Sequence, residues 1–436
     1  MTNSSKLPQG RLARISQLAA VGARTGVSLL GSGDGASAAA HAAKVLGQLR
    51  GIAAKVGQMA SYVDGVVPEE RREAYEAALG ALRSRAPTSA FGEIRALVES
   101  ELGAPLRELY VDFDEVPFAS ASIGQVHRAT LADGTEVAVK VQHPGIAEAV
   151  ESDLATASVL EPIAALAAGR KVDTQQVLEE LRARFREELD YRLEAERQAL
   201  FAAMHAGDPT IRIPAVIAER SAHRVLTTEL VSGVSLEEAA HGSPAERRAY
   251  AETLWRFVFK GNLVGGHFNA DPHPGNFLFR PGGVVSCLDF GCVEPLPEDR
   301  VRSARLLHAA AVRRDEAAFR THAASILGTR PGVWEDQAIA YSRRCFEPLF
   351  ASPYRITRAY AAELVSSLRE MTQAIRKLPK GEHVTMPKGM LFMNRLQFGF
   401  YSVLARLDVE VDYAAVERAF YEEAGLSIEA STDSPR

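Results

Sequence analysis

Asp271-Pro-His-Pro-Gly-Asn276, followed thirteen residues on by Asp289-Phe290-Gly291, decides how this chain is read. Magnesium-dependent phosphoryl transfer needs a carboxylate that orients or deprotonates the nucleophile. It also needs hard oxygen ligands that hold the metal on the nucleotide phosphates. Asp271 suits the first task; the Asn276 amide oxygen and the Asp289 carboxylate suit the second. Asp-Phe-Gly alone is a common tripeptide. Its order and spacing behind Asp-x4-Asn make the signal specific.

Toward the N-terminus, Val137-Ala138-Val139-Lys140 has the strand pattern that delivers a lysine to the α- and β-phosphates. By itself this lysine is equally an edge-strand solubility residue. The spacing predicts strands over Val116–Ala129 and Glu136–Gln142, turned at Ala132-Asp133-Gly134. Between Ala119 and Gly124 runs Ala119-Ser120-Ala121-Ser122-Ile123-Gly124, small residues where a kinase-type hairpin cradles phosphate. Alanine permits close backbone approach but narrows dihedral freedom, so this loop should be stiffer than a Gly-x-Gly loop. Those six residues with Val126, Ala138 and Lys140 form the expected nucleotide-binding set.

A carboxylate partner for Lys140 is expected from a long amphipathic helix over Asp173–Phe201, whose buried stripe is Val177, Leu181, Phe185, Leu189 and Leu193. Within it Glu188, Asp190 and Glu194 are the candidates. Asp190 and Glu194 are four apart and share a face, while Glu188 lies about 200° round from Asp190. Upstream, helices are expected over Ser37–Val63, from Pro68, and over Phe91–Leu102, the last stopping at Gly103. Short strands are expected over Ile211–Ile217, Arg224–Leu230, Phe277–Phe279 and Val284–Leu288, in a C-terminal half otherwise helical after Ser235.

The chain therefore divides into a mobile Ser/Gly-rich arm (1–36), a helical extension (37–110), a small α/β lobe (111–233) and a large helical lobe (234–436). The expected class is α+β, bilobal and protein-kinase-like. With 55 acidic and 50 basic residues the net charge is -5, which argues against a generic nucleic-acid binder. Three cysteines and no apparent secretory leader point to a reducing cytoplasm. Cys287 and Cys292 lack a zinc-type spacing and read as small apolar residues, and His267 and His273 are weak metal candidates. No window reaches the ~18 uninterrupted apolar residues of a membrane-spanning helix. The arginines at 11, 14 and 24, set among apolar residues, suit a surface helix touching anionic lipid or a plain docking arm.

From about Leu46 to Ala424 the residues resemble the UbiB/AarF family of atypical protein-kinase-like proteins, which includes the mitochondrial coenzyme Q chaperone-kinases. Lys55-Val-Gly-Gln58 matches its K-x-G-Q motif, Ala119 to Val126 its alanine-rich loop, and Glu188-Leu-Asp190 its E-x-D motif. Lys140, Glu194, Asp271, Asn276 and Asp289 fall on the remaining positions. The resemblance implies that Lys140 pairs with Glu194 and touches phosphate, and that Asn276 and Asp289 hold Mg2+. Lys55, with Gln58 beside it, should face the E-x-D segment and fold the extension over the place a peptide substrate would occupy. It also implies an ATPase or kinase-like activity supporting prenyl-lipid or quinone biosynthesis, with lipid surfaces and biosynthetic enzymes as partners.

The chain departs from the pattern at Ser120, usually alanine, and at Asn269, where many relatives have histidine. His273 stands where a standard protein kinase has a charge-balancing lysine. The polar C-terminus has no membrane hairpin of the kind several bacterial relatives carry, so peripheral attachment or a cytosolic location is expected. Two other readings share the catalytic core: a small-molecule or lipid phosphotransferase, and a non-catalytic nucleotide-gated scaffold. The K-x-G-Q segment disfavours the first, and retention of all five core residues disfavours the second.

Overall fold

The computed structural model describes residues 88–120, 123–152, 154–155, 174–377 and 390–428. Lys55, Gln58, the N-terminal arm, Ala121 and Ser122 lie outside the described residues.

Alternation in Glu136–Gln142 (β4) organises the small lobe. Val137, Val139 and Val141 are fully buried on one face. Ala138 and Lys140 therefore point to the other. β4 sits inside an antiparallel sheet ordered Asp112–Phe113 (β1), Gly124–Thr130 (β3), β4, Val225–Glu229 (β6), with Ala119–Ser120 (β2) paired onto β3. The valine face is closed by Phe91–Leu102 (α1) through Ile94, Leu97 and Val98. Gly103, at φ +73°, takes the left-handed conformation that ends α1, and its N–H bonds the Glu99 carbonyl.

Three sequence-based expectations are corrected here. The expected strand over Val116–Ala129 is two strands, Ala119–Ser120 and Gly124–Thr130, paired antiparallel with Ala119 facing Val126 and Ser120 facing Gln125. The run over Ile211–Ile217 shortens to Ile211–Arg212 (β5), since Pro214 has no N–H for a ladder. The long helix over Asp173–Phe201 is two helices, Thr174–Glu187 (α2) and Tyr191–Met204 (α3). Asp190 breaks it: its backbone is extended and its side chain accepts from Arg192 N–H, capping α3. Asp190 therefore precedes α3 and shares no helical face with Glu194.

The large lobe is built on Pro244–Leu263 (α4), started by a Ser243/Glu246 capping box with Pro at its first position. Its Tyr250, Leu254, Trp255 and Phe257 enter the main core. Two small sheets lie against it. His267–Asn269 (β7) pairs with Val293–Pro295 (β10), and β5 pairs with Val284–Cys287 (β9), which also pairs with Phe277–Arg280 (β8). The remaining long helices are Glu298–Val312 (α5), Glu316–Leu327 (α6), Val333–Cys345 (α7), Arg358–Lys377 (α8), Met390–Leu407 (α9) and Tyr413–Glu423 (α10). Glu417 of α10 is fully buried, accepting from Trp255 Nε1 at 3.1 Å and facing His308 Nδ1 at 3.0 Å. Among the described residues, no helix is long and apolar enough to cross a membrane.

Candidate active site

The strand alternation that buries the β4 valines turns Lys140 toward the cleft between the lobes. The α3 cap at Asp190 fixes where that helix begins, and so where Glu194 in its first turn stands. Lys140 Nζ lies 2.6 Å from Glu194 Oε1 and 3.2 Å from Asp289 Oδ2, and 5.0 Å from the centre of the Tyr191 ring. One ammonium thus joins a small-lobe strand, a helix and the Asp-Phe-Gly turn. Burial pulls the Lys140 ammonium toward neutrality, but the Asp289 and Glu194 carboxylates outweigh it and hold its pKa well above the ordinary lysine value. Glu194 is nearly inaccessible; burial raises its carboxyl to about 7 against the pull of Lys140.

Asp289 is set by its own turn. Its Oδ1 accepts from Gly291 N–H at 3.0 Å, and a Cβ on Gly291 would come within 3.3 Å of that oxygen. Asn269, at the end of β7, fastens the two chemical loops together. Its Nδ2 donates to the Asp289 carbonyl at 2.6 Å, and its Oδ1 accepts from Asp271 N–H at 3.0 Å. Asn276 Nδ2 donates to the Asp271 carbonyl at 3.0 Å, so its amide oxygen is the atom that could take a metal. His273 is occupied in its turn, where Nδ1 accepts from Gly275 N–H.

Of the other expected residues, Ala119, Ser120, Gly124 and Val126 line the hairpin beside β4, with Val126 directly opposite Lys140. Ile123 and Ala138 flank the same hairpin, Ile123 buried in the cluster that also holds Tyr191 and Leu189. Glu188 is buried, and Asp190 pairs with His223 Nδ1 at 3.0 Å besides capping α3. Cys287, Cys292 and Cys345 are buried free thiols, and burial pushes the Cys287 thiol far up.

Several contributors were not singled out from sequence. Arg197 Nη1 donates to the Gly291 carbonyl at 3.0 Å and also pairs with Glu187. Arg184 pairs with Glu187 and Glu294, so α2 and α3 are both clamped onto the segment after Asp289. The arginine-rich end of α2 was the available signal, but its partners lie about a hundred residues away in sequence. Tyr191 was passed over because an aromatic residue at a helix start reads as core.

The residues fit a nucleotide with its metal. Tyr191 OH and Ser120 Oγ are inaccessible oxygens with no hydrogen-bond partner among the described residues. No cluster of three or more His, Cys, Asp or Glu side chains converges on a metal position among the described residues. Asn276 and Asp289 would offer hard oxygen ligands, the kind Mg2+ prefers.

A lysine held by a helix glutamate and by the aspartate of a D-F-G turn, beside an Asp-x4-Asn loop, places the molecule in the protein-kinase-like class. The ABC1 atypical kinase-like domain matches residues 81–323. The chain belongs to that family, the UbiB/AarF group of atypical kinase-like proteins. It is 35% identical over 275 residues to an uncharacterised protein of Mycobacterium tuberculosis, covering 61% of this chain and 55% of that protein. Identity is 35% over 246 residues to the mitochondrial atypical kinase COQ8B of Rattus norvegicus (56% and 46% covered). It is 29% over 270 residues to the mitochondrial atypical kinase COQ8 of Saccharomyces cerevisiae (62% and 53%). The matched region thus spans about half the length of these curated relatives. A solved structure of a Mycobacterium tuberculosis protein in complex with erythromycin superposes with a TM-score of 0.60 at 30% identity, covering 89% of this chain and 95% of that one.

Proposed function

We propose that this protein is an ATP- and Mg2+-dependent atypical kinase or ATPase of the UbiB type that supports prenyl-lipid or quinone biosynthesis at a membrane surface. The observation that carries this reading is the junction of Lys140 with both Glu194 and Asp289. Lys140 binds the α- and β-phosphates and is oriented by Glu194. Asn276 and Asp289 hold the metal, and Asp271 orients the nucleophile. Magnesium, when bound, neutralises charge on the phosphates.

The test is phosphate release from ATP by the purified chain, with and without Mg2+, anionic liposomes and phenol-like head-group analogues. Magnesium-dependent release, raised by liposomes, is expected. Transfer of phosphate to the phenol analogue would instead make the protein a small-molecule phosphotransferase. Neither release nor transfer, with nucleotide bound, would reduce it to a nucleotide-gated scaffold.

A further inference from the structure

Tyr191 opens α3, one turn before Glu194, and its side chain is fully buried. Its N–H is used, donating to the His223 carbonyl at 2.9 Å. Among the described residues its hydroxyl has no hydrogen-bond partner. The ring touches two residues of the candidate site. Lys140 Nζ stands over its face, 5.0 Å from the ring centre. The hydroxyl oxygen comes within 2.8 Å of the position a Cβ on Gly124 would take. A dry hydroxyl without a partner is destabilising, and replacing it by hydrogen in an apolar cluster is neutral or favourable. Ser120 Oγ, on the strand paired with Gln125, is a second inaccessible hydroxyl with no partner among the described residues. Burial, reinforced by the Glu194, Asp289 and Glu188 carboxylates and opposed by Lys140, pushes the phenol well above its usual range, so the proton stays on the oxygen. Such a group donates and does not ionise.

We propose that Tyr191 is a nucleotide-binding residue whose hydroxyl donates to a phosphate oxygen of a bound nucleoside di- or triphosphate, while its ring supports the Lys140 ammonium. This rests on the nucleotide reading of the site. Asp-Tyr at the head of a helix carrying the lysine's glutamate gives the pocket a neutral donor beside a charged one.

Tyr191→Phe keeps the ring and removes only the oxygen. The full-length chain and this variant are compared by calorimetric titration with Mg-ADP and by melting without nucleotide. The expected result is a Kd raised about tenfold in the variant, the size of one hydrogen bond to a charged group, with an unliganded melting temperature equal to or above wild type. Tyr191→Leu, which also loses the ring, should weaken binding further. An unchanged Kd in Tyr191→Phe, with wild type binding normally, overturns the tyrosine assignment alone. A lower unliganded melting temperature also overturns it, because the hydroxyl would then be paired inside the protein. Failure of wild type to bind Mg-ADP overturns the nucleotide reading, and this proposal with it.

Discussion

In Asp289 one carboxylate oxygen faces Lys140, the other holds the Gly291 N–H, and the carbonyl takes the Asn269 amide. Asp289→Asn keeps the shape and the turn but removes the charge that a divalent cation needs. We expect Mg-ATP affinity to fall about tenfold or more, with an almost unchanged melting temperature in the absence of nucleotide. A nucleotide-induced thermal shift equal to wild type would remove the metal role. Gly124 is a different kind of necessity. Its φ is not positive; what excludes a side chain is proximity, since a Cβ would lie 2.5 Å from the Val141 carbonyl oxygen and 2.8 Å from Tyr191 OH. Main chain on one side and a buried ring on the other leave little room to yield. Gly124→Ala should lower stability by about 1–3 kcal/mol, read as a shifted urea midpoint.

Among elements, α3 matters most because its first turn sets Glu194. Asp190→Ala removes the cap and should cost about 1 kcal/mol, with ATP turnover falling further than stability as Glu194 loses its register. Asp190→Asn, which can still cap, should restore both; equal losses in the two variants would show that the cap is not what matters. This same junction is where the sequence misled. Leu189 and Leu193 continue the apolar period of Val177, Leu181 and Phe185, so the pattern reads straight through a break made by one carboxylate bonding its own backbone. By contrast α1 was legible to the residue, because Gly103 marks its end. β4 was legible because its valines alternate about an alanine and a lysine. The Lys140–Glu194 pair was implied by motif resemblance, not by spacing. Asn269 was noticed only as a departure from relatives. That it joins Asp271 to the Asp289 carbonyl depends on β7 and β10 lying side by side, and no local pattern states that.

For the whole molecule, acid is the revealing perturbation. His205 is buried between Phe201 and Phe257, and neither ring nitrogen has a hydrogen-bond partner among the described residues. Burial first, then the nearby Lys260 charge, lowers it to about 4 against the pull of Asp208, with Arg256 adding a smaller push downward. The unfolded chain takes up this proton below about pH 6.5 while the folded chain stays neutral, so stability declines as pH falls from 6.5 toward 4. Between pH 7 and 5 the loss from this one group should be about 2 kcal/mol. Urea midpoints of wild type and His205→Leu at the two pH values check it: the variant should lose that much less. A larger consequence follows from the short path beyond Asp289-Phe290-Gly291. Val293–Pro295 is at once hydrogen-bonded to His267–Asn269, Arg184 and Arg197 clamp the same segment, and α5 begins at Glu298. In many kinases the stretch after this turn is long enough to fold and unfold, and phosphorylation decides which. Here that stretch is already committed to a ladder and a clamp, leaving no span to toggle. Treatment with a phosphatase should leave ATP turnover unchanged, and the pace of this molecule would be set by the concentrations of what enters its cleft, not by covalent marking of a loop beside it.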